Sequence, residues 1–197
     1  AISPYQDQIE AIILPKTQSF DFLATLAPMI DFSNKLVPLI ETPRAIDTVT
    51  QIAAFKDVVG LFFGAADSSA SLGCKLAWEP LLYARQKVVL AAAMYNLFTI
   101  DAPFFYIDDK EGLKKEAEAV KNLGFTGKAA IHPDQIDFIN ESFAPTSEEI
   151  AEGKKVLEEY QKSGGGAVKI DGQMVDEPIA EAMRLKISLG EEEENED

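Results

Sequence analysis

Two acidic residues are placed where they could share a metal ion. Glu41 closes the apolar run Leu36–Ile40, and Asp67 follows the run Val58–Phe63 after Gly64, Ala65 and Ala66. If those runs are neighbouring parallel strands, their ends lie about 4.8 Å apart. Two carboxylates at that spacing, with water and substrate oxygens completing an octahedron, suit Mg2+. The small residues Gly64-Ala65-Ala66 let backbone N–H groups approach a ligand carboxylate without side-chain obstruction. The same spacing admits a purely structural role, in which either acid caps a helix or pairs with Arg44. A third acid, Asp176, stands before Glu177-Pro178 and by itself reads as a helix N-cap.

Other chemistries are excluded by counting. One histidine, His132, rules out a site with two His ligands in one chain, and one cysteine, Cys74, rules out an intrachain disulfide. Nothing beside His132 fits a catalytic triad, so it reads as a satisfied loop or core residue. Cys74 reads as a small buried hydrophobe. Ser163-Gly164-Gly165-Gly166 lacks the lysine of a phosphate loop and reads as a flexible break.

The net charge is −15, which argues against a nucleic-acid partner. Six of the acids fall in 191–197, expected to be a disordered acidic tail, and the remainder carries −9. Hydrophobic residues make up 47% of the 197, enough for one good core. No apolar run approaches the roughly 18–20 residues that span a bilayer, so no membrane partner is expected. The first ten residues show neither a basic start nor an apolar core, so no signal peptide is expected there.

The elements that would position these acids alternate. Apolar runs at 11–14, 36–40, 58–63, 98–100 and 128–131 read as strands, although Pro38 argues against a central position for the second. Helices are expected over 20–30, from the Thr42 cap to about Phe55, over 80–96, over 109–123 and over 134–141. Gly64 to Ser69 reads as a small-residue loop. Nearly all-apolar strands separated by helices imply α/β architecture with a parallel sheet. The runs end in Lys16, Glu41, Asp67, Asp101 and His132, and no glycine fingerprint follows the first strand. Both features favour a (β/α)8 TIM barrel over a dinucleotide-binding sheet. A barrel needs roughly 250 residues, so 1–144 holds only part of one, with the shortage at the front. Residues 145–190 read as a C-terminal helical extension. It starts with a Thr146/Glu149 capping box and ends in a helix over 177–189.

Five segments in order resemble the CitE-like lyases, the citrate lyase β-subunit relatives within the HpcH/HpaI aldolase superfamily. Leu36-Val37-Pro38-Leu39-Ile40-Glu41-Thr42-Pro43-Arg44-Ala45 resembles their fifth barrel strand, and Gly60-Leu61-Phe62-Phe63-Gly64-Ala65-Ala66-Asp67 their sixth. Leu82-Tyr83-Ala84-Arg85 is similar to the helix after it. Gly127 to Ile136 resembles the eighth-strand segment, and Asp171-Gly172-Gln173-Met174-Val175-Asp176 the C-terminal signature.

The resemblance implies that the chain covers roughly strands 4–8 of the barrel, without the N-terminal strands. It implies a Mg2+-dependent carbon–carbon lyase that cleaves or forms citryl-, malyl- or citramalyl-type thioesters by retro-Claisen or aldol chemistry. Glu41 and Asp67 would hold Mg2+, the backbone around Ala66 and Asp67 would hold a substrate carboxylate, and Asp176 would transfer a proton in a neighbouring subunit. The implied partners are a 2-oxo acid and an acyl-CoA or acyl-carrier-protein thioester, in a cytoplasmic homotrimer. The family's carboxylate-binding Arg belongs to the first strands and has no counterpart here. A non-catalytic remnant or partner subunit, and a metal-dependent aldolase on free 2-oxo acids, are the competing expectations.

Overall fold

The computed structural model describes residues 9–30, 35–164 and 166–193, which form two compact units divided between Phe143 and Ala144. In the first unit the order is β1 (Ile12–Leu14), α1 (Phe20–Ile30), β2 (Leu36–Ile40), α2 (Pro43–Asp47) and α3 (Val49–Ala53). Then come β3 (Gly60–Phe63), α4 (Ala65–Leu72), α5 (Trp78–Ala93), β4 (Phe98–Asp101), α6 (Lys110–Leu123), β5 (Gly127–Lys128) and α7 (Ile136–Phe143).

The five strands form one parallel sheet in the order β1-β2-β3-β4-β5. Each strand pairs with the one before it, across at least one helix. The order never reverses, so there is no switch point of the doubly wound kind, and the winding is that of a barrel wall. One face of the sheet is sealed: Leu36, Ile40, Leu61 and Phe63 pack with Ile52, Val88 and Val120 of the helices. Residues of opposite parity fill the other face less completely. Leu39, Phe62 and Ile100 are half-buried, and Ile13 and Phe98 are exposed.

Several expectations are corrected. Pro38 does sit in a central strand. Leu36 donates its N–H to Asp57 O and accepts from Val59 N, so two residues on Pro38 also turns its nitrogen toward β3 and has no proton to give. The ladder adjusts there: Leu36 bridges Val58 but Leu39 pairs with Phe62, so β3 accommodates one extra residue, a bulge. The helix expected from Thr42 to Phe55 breaks at Thr48, whose hydroxyl donates to Arg44 O at 2.9 Å and so competes with the helix ladder.

The expected loop over 64–69 is instead the start of α4. Its alanines are strong helix formers, and Gly73 stops it in the left-handed region. The fifth strand is two residues long because Ile131 N–H turns to the buried Gln135 side chain, whose amide in turn donates to Phe104 O.

Asp101 ends its strand as a polar residue, as expected, but it does not join Glu41 and Asp67. Its carboxylate lies wholly buried on the helix side of the sheet, with Arg85 Nε at 2.8 Å and Lys128 Nζ at 2.9 Å. Lys128 also reaches Glu116 at 2.7 Å, and Arg85 stacks on Phe63 and Trp78. Two cations and two anions thus tie α5 and α6 to the C-terminal ends of β4 and β5.

The second unit comprises α8 (Ser147–Lys162), β6 (Val168–Ile170), β7 (Gln173–Val175) and α9 (Glu177–Glu193). Thr146 and Glu149 form the reciprocal capping box that opens α8. β6 and β7 make an antiparallel hairpin through Asp171 and Gly172, both at positive φ, as a two-residue turn requires. Tyr160, Ile170, Val175 and Ala180 form its core. The acidic run does not begin as a tail: 191–193 continue α9, and 194–197 lie outside the described residues.

Removing the buried anion while keeping its shape tests the charge cluster. Asp101→Asn leaves Arg85 and Lys128 short of a counter-charge and is expected to cost about 3 kcal/mol. Urea unfolding followed by Trp78, the chain's one tryptophan, reads the loss. A change below about 1 kcal/mol contradicts a paired, buried cluster.

Candidate metal and carboxylate site

Register places the site before any side chain is considered. Ile40 pairs with Phe63, so Glu41 and Gly64 are the next neighbours along β2 and β3. Both share parity with Leu39 and Phe62, on the incompletely covered face. A methyl group on Gly64 would stand 2.6 Å from Glu41 Cβ and 3.0 Å from its Oε2. Glycine at 64 therefore makes the space in which the Glu41 carboxylate lies. Gly64 is also the N-cap of α4 and offers no capping side chain to the first-turn amides around Ala66 and Asp67. Asp67 occupies that first turn, which brings its carboxylate back toward Glu41.

Lys16, two residues past β1 and directly after Pro15, joins the two acids. Its backbone N–H donates to Glu41 Oε1 at 2.7 Å, and its ammonium lies 2.5 Å from Asp67 Oδ2 and 3.7 Å from Glu41 Oε1. Lys16 has φ +55°, where turns ordinarily take glycine or asparagine. For a residue with a Cβ that conformation costs roughly 1–2 kcal/mol, and the backbone hydrogen bond to Glu41 offsets it. Thr17 secures the turn through its hydroxyl, which donates to Leu14 O.

The charges are set by contrast. Glu41 is 4% exposed. Burial pushes its carboxyl above the ordinary glutamate range, and the adjoining Asp67 carboxyl adds to that. The Lys16 backbone hydrogen bond works in the opposite direction. Asp67 is half-exposed and is held below the ordinary aspartate range, first by the Lys16 ammonium and then by its hydrogen-bonding contact with Glu41. The Lys16 ammonium is raised in turn, chiefly by Asp67.

Hard oxygen donors that press against each other and already draw in one cation fit Mg2+ by their chemistry. Among the described residues no group of three or more His, Cys, Asp or Glu gathers into a fuller metal cage. The remaining coordination positions would fall to water and to substrate oxygens.

Other residues take different places. Arg44, the alternative partner for these acids, stands in α2, and its carbonyl accepts from Thr48. Thr42 caps that helix through Ala45 N. His132 Nδ1 accepts from Asp134 N and caps the short 3-10 turn Pro133–Gln135. Cys74 packs against the core. Asp176 belongs to the second unit, half-buried before α9, where its carbonyl accepts from Ala180 N.

A family model described as HpcH/HpaI aldolase/citrate lyase matches residues 5–133. The chain belongs to that family. Citrate lyase subunit beta of Haemophilus influenzae is 35% identical over 159 residues, 78% of this chain and 55% of the relative. Human mitochondrial citramalyl-CoA lyase is 31% identical over 204 residues, 91% of this chain and 59% of that protein. The chain thus spans little more than half the length of these curated relatives. In structure, the Mycobacterium tuberculosis CitE protein in complex with magnesium, acetoacetate and coenzyme A superposes with a TM-score of 0.81. It is 30% identical and covers 92% of this chain and 68% of that one.

The contrast between the two acids has a sign that titration can read. Carboxyl carbon NMR is expected to show Glu41 titrating above an ordinary glutamate and Asp67 below an ordinary aspartate. Glu41 then stabilises the fold most below the ordinary glutamate value, and that contribution is lost as pH rises through its raised pKa. Asp67 contributes above the ordinary aspartate value, and its share is lost as pH falls through its lowered pKa. Ordinary midpoints for both would contradict the burial and pairing described.

Proposed function

We propose that this chain is the metal-holding part of a Mg2+-dependent carbon–carbon lyase acting on hydroxyacyl thioesters of the citryl, malyl or citramalyl type. The observation that carries the reading is the shared seat of Glu41, at the end of β2, and Asp67, in the first turn of α4 just after the adjacent parallel β3, with Gly64 vacant of side chain between them. Relatives described as citrate lyase subunit beta and citramalyl-CoA lyase, and a fold neighbour in complex with magnesium, acetoacetate and coenzyme A, support it. In this reading β1 to β5 are strands 4–8 of a (β/α)8 barrel. Their unreversed order and the half-covered face are what a barrel wall would show.

Glu41 and Asp67 would hold the ion through carboxylate oxygens. When bound, Mg2+ supplies Lewis-acid stabilisation of the negative charge that develops as the carbon–carbon bond breaks. The first-turn amides of α4 around Ala66 and Asp67 orient the carboxylate of the 2-oxo acid, where the helix dipole favours an anion. The hydroxyl gives up its proton to a base as its carbon becomes the carbonyl of a 2-oxo acid. The bonding pair stays on the carbon next to the thioester, which then takes a proton. Asp176 is the carboxyl group assigned to proton transfer, in the site of a neighbouring copy within a homotrimer. The thioester carrier is coenzyme A or an acyl-carrier protein.

In the complete enzyme, isothermal titration with Mg2+ and release of 2-oxo acid from citramalyl-CoA, malyl-CoA and citryl-CoA test this together. Outer-shell partners of a metal cost about 10–100-fold when removed, so Glu41→Gln or Asp67→Asn is expected to weaken Mg2+ at least that much and to abolish turnover. Asp176→Asn is expected to leave Mg2+ affinity intact and to slow turnover. Unchanged Mg2+ binding in Glu41→Gln, or a wild-type rate in Asp176→Asn, contradicts the corresponding assignment.

A further inference from the structure

Lys16 touches both acids in two different ways. The backbone N–H contact to Glu41 is fixed by the turn. The ammonium contact to Asp67 is made by the tip of a flexible side chain that is 59% exposed. The amide therefore stays with Glu41 whatever the side chain does, whereas the ammonium can leave into solvent by rotation about the stem. The ammonium also stands within ion-pairing distance of both carboxylates at once, where a dication shared by them would bring its own positive charge. Lysine ammonium and a dication cannot both remain there without strong repulsion.

We propose that Lys16 is a built-in counter-ion: its ammonium holds the Glu41–Asp67 pair together in the metal-free protein and is displaced when a divalent cation binds. The inference rests on the metal-site reading above and deepens it. Lys16 is a positioning residue with two separable parts. Its amide orients Glu41 in both states, and its ammonium neutralises the pair in one state only. The left-handed backbone serves the first part, since it aims the amide at Oε1 while the side chain still reaches Asp67. Such an arrangement keeps two like charges from splaying the strand ends apart before metal arrives. It also makes metal affinity lower than the two carboxylates alone would give.

Mn2+ suits the same oxygen donors, and its free fraction is read directly by electron paramagnetic resonance. Manganese chloride is titrated into the wild type and into Lys16→Met, Lys16→Arg and Lys16→Gly. Met keeps the stem and the amide without the charge, Arg keeps the charge, and Gly relieves the positive φ if Met prevents folding. An exposed ion pair is worth at most about fivefold in an equilibrium, and lost repulsion adds to it. Lys16→Met and Lys16→Gly are therefore expected to bind Mn2+ about threefold to tenfold more tightly than wild type, with Lys16→Arg near wild type. The gain should shrink as potassium chloride is raised, because the pair is exposed to solvent. In the absence of metal, Lys16→Met should melt below the wild type, and saturating Mn2+ should close that gap. Equal or weaker Mn2+ binding in both uncharged variants, with the wild type binding normally, overturns the counter-ion role and leaves the metal site standing. A wild type that binds no Mn2+ at all overturns both.

Discussion

Two carboxylates held against each other at the mouth of a parallel sheet create the electrostatic problem that the surrounding structure answers. Glu41 is buried by the strand pairing of β2 with β3, and Asp67 arrives beside it because α4 starts immediately after β3. Neither placement can be relaxed cheaply. Moving Glu41 outward breaks its hydrogen bond to Lys16, and moving Asp67 means unwinding the first turn of α4. Like charges in such confinement raise one another's pKa unless a cation intervenes. The fold supplies one weak cation, Lys16, from the neighbouring strand end. That answer is soft enough to be replaced by a stronger ion, which is why the strand ends are proposed as a metal site.

A second group of charges gives the opposite example. Arg85, Asp101, Lys128 and Glu116 lie on the helix side of the same sheet and neutralise one another with hydrogen bonds from 2.7 to 2.9 Å, along with a longer one of 3.4 Å. Aromatic faces of Phe63 and Trp78 cover the guanidinium. The two cations and two anions balance in charge, although Arg85 Nη1 is buried without a hydrogen-bond partner. The role of the cluster is to pin the C-terminal ends of β4 and β5 under α5 and α6, and so to hold firm the edge of the sheet beside the candidate site. The sheet thus carries a charge-balanced cluster on one face and the Glu41, Asp67 and Lys16 group on the other, and strand parity decides which residue joins which.

How much of this was legible in the sequence follows from the kind of signal each residue gives. The strand ends at Ile40 and Phe63, just before Glu41 and Gly64, were readable because apolar runs stop abruptly there, and the parallel winding followed from alternation. Thr42, Thr146 and Glu149 announced their caps through local side-chain chemistry. Pro38 misled, because a bulge in the partner strand can absorb a missing donor and no local rule shows the partner. Gly64 to Ser69 misled because small residues serve loops and helices alike, and only the left-handed stop at Gly73 separates them. Asp101 does not join Glu41 and Asp67 because facing depends on parity within the strand, and the strand runs one residue further than its apolar portion. Lys16 was visible as a strand-end lysine with an electrostatic role, but not as the residue that links both acids. Its amide and ammonium contacts reach across 25 and 51 residues, and no periodicity carries information over such a separation.

The claim beneath all of this is that positions 41 and 67 grip one divalent ion between them. A crystal of this chain soaked in manganese chloride and measured at the manganese absorption edge tests it most directly. The account predicts a single anomalous peak within bonding distance of carboxylate oxygens from both Glu41 and Asp67, with the Lys16 ammonium turned away. A peak bound to only one of the two, or no peak with Lys16 still paired to Asp67, would contradict it.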